Sequence, residues 1–106
     1  MSEILNGSNN LYQDLHSADS DVMFVKARLA CKIGDIISHR HLTQQQAAGI
    51  LCISQSKLSG LLRGKFRGIS EAKMIDCLNL LGRDVEIIIR KTSKNHSKGQ
   101  TQVTFV

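Results

Sequence analysis

Between Ile53 and Lys65 the chain reads ISQSKLSGLLRGK, a stretch whose chemistry-bearing side chains are amides, hydroxyls and cations rather than nucleophile and base pairs. Gln55 carries an amide that donates and accepts at once, Ser56 and Ser59 add hydroxyls, and Lys57 adds three N–H donors on a long stem. Arg63, Lys65 and Arg67 follow closely. Such a set can hydrogen-bond the edge of a flat polar partner and hold anionic oxygens beside it. That is recognition chemistry, not bond-making.

Recognition requires rigid elements, and Leu42–Lys65 encode two short helices joined by a tight turn. Thr43 is the expected N-cap of the first, with Gln46 completing the capping-box pattern T-x-x-Q. Ala47, Ala48 and Leu51 recur at helical spacing before Cys52 and Ile53 break into a turn, and Ser54 offers a second N-cap. Leu58, Leu61 and Leu62 form the apolar stripe of the second helix, and Gly64 is its stop. The small Ala47 and Ala48 admit a near-perpendicular partner, the geometry of a helix-turn-helix, in which the second helix enters the major groove of DNA.

These residues resemble the Cro and phage-repressor type of helix-turn-helix, the XRE-like regulators. The resemblance runs without a gap through both helices and the turn, with Gln44 opening the first helix, Ala48 at the small crossing position, and Leu51, Leu58 and Leu61 at core positions. One departure is Cys52, where the family usually has Gly at a turn position favouring positive φ. It implies either about 1 kcal/mol of local strain or a different turn. The resemblance implies that the exposed start of the second helix reads bases. Gln55 is then the first reader, its amide matched to adenine, with Ser56, Lys57 and Ser59 touching base edges or phosphates and Lys57 able to reach a guanine. Gly60 leaves one further reading position without a side chain. Gln44 can set its amide and nearby backbone donors against a phosphate, while Thr43 and Ser54 are caps first and phosphate contacts second. Arg63, Lys65 and Arg67 can clamp phosphate oxygens, or serve as ordinary solvated surface.

The remainder of the chain must support that motif. Its 106 residues suit one small domain, and scarce aromatics with no Trp or Pro suit a helical bundle of Leu, Ile, Val and Ala. No bilayer-length apolar run and no signal-peptide pattern occur, so a cytoplasmic location is expected. Cys31, Cys52 and Cys77 are odd in number, widely separated and free of any CxxC pair, which reads as structural free thiols in apolar surroundings. His39 and His41 lack a zinc-like partner spacing and read as surface residues near phosphate. With no nucleophile motif, phosphate-cradling loop or metal spacing, neither an enzyme, a cofactor nor a metal is expected. A lone Tyr12 and three Phe residues likewise offer no platform for stacking RNA bases.

Charge is segregated: residues 1–21 hold four acids and no Lys or Arg, whereas 36–70 hold Arg40, Lys57, Arg63, Lys65 and Arg67 and no acid. That second interval spans the two motif helices, as a polyanion partner requires.

In chain order, residues 1–21 form a polar extension expected to be partly disordered, with a small apolar cluster at Leu11, Tyr12 and Leu15. Residues 22–82 form the DNA-binding domain. Asp19, Ser20 and Asp21 supply an acidic start for a helix from Val22 to about Arg40, with Val25, Leu29, Ile33, Ile36 and Ile37 inward and Lys26, Arg28 and Lys32 as solvated surface. After the motif, the loop GKFRG places Phe66 as a core plug, Ser70 caps a fourth helix, and Met74, Ile75, Leu78 and Leu81 face inward before Gly82. Residues 83–106 change period: DVEIIIR at 84–90 and TQVTFV at 101–106 read as two strands of a hairpin that packs on the helices or pairs with a second copy. The expected fold is mainly α, a Cro-like bundle of four or more helices with a C-terminal β-hairpin.

From about Leu11 onward the chain is similar to small bacterial XRE-like proteins often encoded beside toxins of the RelE or HigB kind. KARLA at 26–30, LTQ at 42–44, ISQ at 53–55, LLRGKFRGIS at 61–70 and LLGRDVEI at 80–87 carry this likeness. It implies an autorepressing antitoxin that masks a toxic ribonuclease. The alternative is a free-standing repressor without a toxin. In either case a homodimer on a palindromic operator is expected, because one domain with so few reading side chains binds weakly.

Overall fold

The computed structural model describes residues 10–92 and 98–106, with side chains from Asp21 onward. Four helices follow in order: α1 Asn10–His39, α2 Gln44–Leu51, α3 Gln55–Leu62 and α4 Glu71–Leu80. Each of the last three starts at its expected cap. Thr43 Oγ1 accepts from the Gln46 amide at 3.0 Å while Thr43 N–H donates to Gln46 Oε1 at 2.9 Å, a complete capping box. Ser54 and Ser70 accept from the amides of Lys57 and Lys73, each at 3.0 Å.

All four helices end alike. Leu42 N–H donates to Ile37 O, Ile53 to Ala48 O, Lys65 to Gly60 O and Arg83 to Leu78 O, the long closing bond of a Schellman motif. The motif needs a left-handed residue just before its last donor. Gly64 and Gly82 fill that role at φ 88° and 85°, as the sequence predicts, but His41 and Cys52 fill it at φ 56° and 57°. The turn between the motif helices therefore keeps the geometry that favours glycine, and of the two expectations for Cys52 the strained one applies.

Ile33, Ala47, Leu51, Leu58 and Met74 are wholly enclosed at the centre of one continuous core. Their spacing puts one inward stripe on each helix; α1 lies against α4, and α2 against α3. Phe66 and Ile69 enter this core from the loop between α3 and α4, so Phe66 is the expected plug.

Several expectations are corrected. Helix α1 does not begin at Asp19–Asp21 but at Asn10, because neither Gly nor Pro occurs from Leu11 to Ile33 and a cap sequence cannot stop a helix that continues past it. Residues 1–9, expected to be disordered, lie outside the described residues, as do the side chains of Leu11, Tyr12 and Leu15. Lys26 is not solvated: it is 8% exposed, and its Nζ donates to Phe66 O at 3.4 Å and Arg67 O at 3.2 Å. Arg28 donates to Val103 O at 2.9 Å. Of the three free thiols, Cys77 is buried as expected, whereas Cys31 and Cys52 are exposed.

The described residues contain no strand, so no ladder of the expected C-terminal hairpin stands among them. Thr92 and Gly99 do come together, a Cβ at Gly99 falling 3.3 Å from Thr92 Oγ1. The last segment is instead fastened to α1: Val103 gives its carbonyl to Arg28, and the Phe105 ring lies 4.6 Å from the Arg28 guanidinium and 5.2 Å from Lys32 Nζ. Val85 and Val103 pack against the core, while Ile87, Ile88 and Ile89 stand 77%, 68% and 92% exposed. Among the described residues, no helix is long and apolar enough to cross a membrane.

Candidate nucleic-acid interface

Helix α3 buries Leu58 and Leu61 and half-buries Leu62. At about 100° per residue, these three place the helix side opposite the core at Ser56, with Ser59 and Arg63 one and two turns along and Gln55 and Lys57 on the flanks. Gln55, Ser56, Lys57 and Arg63 are exposed, and Ser59 is half-buried. The expected readers thus share the first turns of one helix, but Ser56 rather than Gln55 stands at the centre of the outward face.

The main chain explains why this end of α3 is available. The Ser54 side chain satisfies the Lys57 amide, while the remaining first-turn amides lie outside the intrahelical ladder and can face an acceptor. The start of α2 is built the same way, with Thr43 as cap and Gln44 exposed beside it. Thr43 Oγ1 and Ser54 Oγ already accept one backbone bond each, which leaves each hydroxyl proton free to donate elsewhere.

Gly60 also borders the loop that follows α3. A Cβ there would lie 3.6 Å from Lys65 O and 3.7 Å from Lys65 Cβ, ordinary contact distances, so the bare position borders the following loop as well as the outward side of α3. Gly60 O in turn accepts from Lys65 N–H at 2.7 Å. The loop that carries Lys65 and Arg67 is therefore held at both ends, by Gly60 from α3 and by the Lys26 ammonium from α1. Lys65 and Arg67 are exposed on it.

Two residues of this neighbourhood were not anticipated. Lys26 falls at helical spacing with Leu29 and Ile33, so its place near the inner stripe was legible, but not that a loop forty residues away covers it. Lys73 shares a surface recess with Lys57, Ser54, Gly68 and Ser70, and forms an ion pair with Asp76 at 3.5 Å. Its proximity to Lys57 depends on how α4 is docked, and no local pattern carries that. Arg40, counted with the basic region, donates instead to Leu81 O at 3.4 Å and closes the end of α4. His39 and His41 are exposed, and His41 serves as the backbone turn after α1.

No group of His, Cys, Asp and Glu suited to a metal occurs among the described residues. Burial pushes the Cys77 thiol up, Lys73 partly opposes the shift, and Asp76 adds to it. This thiol lies in the core, away from the exposed face of α3.

Comparison with known proteins agrees with this geometry. A model of a helix-turn-helix domain family matches residues 11–90. A solved structure described as an XRE-family transcriptional regulator superposes with a TM-score of 0.78 and 34% sequence identity, covering 83% of this chain and 99% of that one. No curated protein matches the chain.

Proposed function

The chain belongs to the XRE-like helix-turn-helix regulators, and from that membership we propose that it is a sequence-specific DNA-binding repressor acting as a homodimer on a palindromic operator. The observation that carries this reading is the exposed polar start of α3, rimmed by Arg63, Lys65 and Arg67 in an interval without a single acid. Gln55, Ser56, Lys57 and Ser59 meet base edges in the major groove, while Thr43, Gln44, Ser54 and the three rim cations hold phosphates. Two half-sites about 34 to 36 Å apart then add their affinities.

A gel-shift titration over a salt series on the DNA upstream of the gene tests the assignment. Gln55→Ala should cost about 1–3 kcal/mol on the specific site and relax discrimination there. Arg63→Ala should weaken all sequences evenly and lower the salt slope by about 1. Unchanged binding in both variants would overturn the residue assignment.

Within this reading we assign the chain the role of an autorepressing antitoxin, supported by the RGKFRG and LGRDVEI blocks shared with small XRE-like proteins encoded beside RelE-like toxins. Co-purification with the product of the adjacent gene tests this role. Failure to bind it leaves a free-standing repressor with the same DNA chemistry.

A further inference from the structure

We propose that residues 84–91 are a pairing strand, which joins antiparallel to the same segment of a second copy about a two-fold axis at Ile88. The inference rests on the dimeric reading above and names the surface behind it. The segment sequence is DVEIIIRK, and three consecutive β-branched residues in it are largely exposed: Ile87, Ile88 and Ile89. They stand outside helix and strand, with no ladder partner among the described residues. Such a row of apolar side chains outside any ladder is a template for another strand.

The segment is not a loose tail. Arg83 N–H closes the end of α4 on Leu78 O at 2.9 Å, and Val85 packs against the core, so the isoleucines leave the domain at a fixed place. The chain's own last segment is tied down elsewhere, with Val103 O held by Arg28 and the Phe105 ring beneath Arg28 and Lys32.

Charge selects the partner and its direction. Asp84 and Glu86 occupy one end of the segment, Arg90 and Lys91 the other. A parallel copy would set like charges side by side, whereas a reversed copy sets acid against base. Registers can then be compared pair by pair. With Ile88 opposite itself, Glu86 of each copy faces Arg90 of the other on one side of the ribbon, flanking the two Ile88 side chains. On the other side Ile87 of each copy faces Ile89 of the other, which gives an unbroken isoleucine row. Centring on Ile87 instead sets Glu86 against Ile88, and a one-residue slip between the two sets Glu86 against Ile89. Centring on Ile87 also opposes Asp84 to Arg90, but only the Ile88 register both matches Glu86 with Arg90 and sets every isoleucine against another.

The test is sedimentation equilibrium on the full chain without DNA, with circular dichroism to confirm that each variant is folded. The unmodified protein should be a dimer. Glu86→Arg and Arg90→Glu should each weaken dimerisation about tenfold or more, because each replaces two attractive pairs with two repulsive ones, and the double variant should restore it. Ile88→Lys should leave a folded monomer. A monomeric unmodified chain, a dimeric Ile88→Lys, or a double variant no tighter than the singles would each overturn the proposal. Gln55→Ala should retain the dimer mass, so loss of base reading and loss of pairing are read separately.

Discussion

Cys52 and His41 are placed at φ 57° and 56°, in turns where glycine would sit without a clash between Cβ and carbonyl. Cys52→Gly should therefore stabilise the fold by about 1 kcal/mol, equivalent to a midpoint about 4–8 °C higher in a thermal melt of a domain this size. His41→Gly should act in the same direction. The thiols should differ in reactivity: in the native protein Cys31 and Cys52 should react with a disulfide reagent and Cys77 should not, and all three should react in denaturant. Burial also makes the folded chain hold the Cys77 proton more tightly than the unfolded one, so its contribution falls as pH rises above the ordinary thiol range. At this scale the caps were legible, since Thr43, Ser54 and Ser70 each act within three residues of themselves. The left-handed His41 was not, because Gly usually marks such turns and His does not.

Among the elements, the loop between α3 and α4 shows how a recognition motif is steadied by a helix distant in sequence. Lys26 reaches two successive loop carbonyls, and its stem lies on the inner stripe of α1. Lys26→Met should keep the helical circular dichroism but speed amide exchange through residues 65–68 by about tenfold, since bonds from a charged donor are lost. Unchanged exchange would show that Phe66 and Ile69 alone hold the loop. By contrast, Thr43→Ala removes a local capping box and should cost about 1 kcal/mol of global stability, measurable in a urea melt. Helix α1 carries the opposite lesson. Asp19–Asp21 has the composition of a start, yet the helix runs through it from Asn10 because nothing upstream breaks it.

For the whole molecule, the arrangement of charge has two consequences. The rim of Arg63, Lys65 and Arg67 predicts DNA binding that weakens steeply with salt, and truncating all three to Ala should flatten that dependence. The dimer proposed through residues 84–91 predicts a melting temperature that rises with protein concentration, lost in Ile88→Lys. The clasp of Phe105 between Arg28 and Lys32 decides where the chain end lies. Phe105→Ala should release it, with faster proteolysis after Gly99 and little change in the helical core.

The sequence by itself determined the helical bundle, the starts of α2, α3 and α4, the plug at Phe66 and the set of side chains offered at the start of α3. Caps, apolar spacing and stops act over one or two helical turns, and that information is local. Only the tertiary structure decided that Lys26 is buried under the loop and that Arg40 closes α4. It also decided that the β-rich segments form no ladder among the described residues, since a strand's state depends on a partner to pair with and Val103 O is taken by Arg28. Each of these depends on residues some 40 to 75 positions apart or on the packing angle of a helix. Spacing along the chain does not encode those relations; the closed core does.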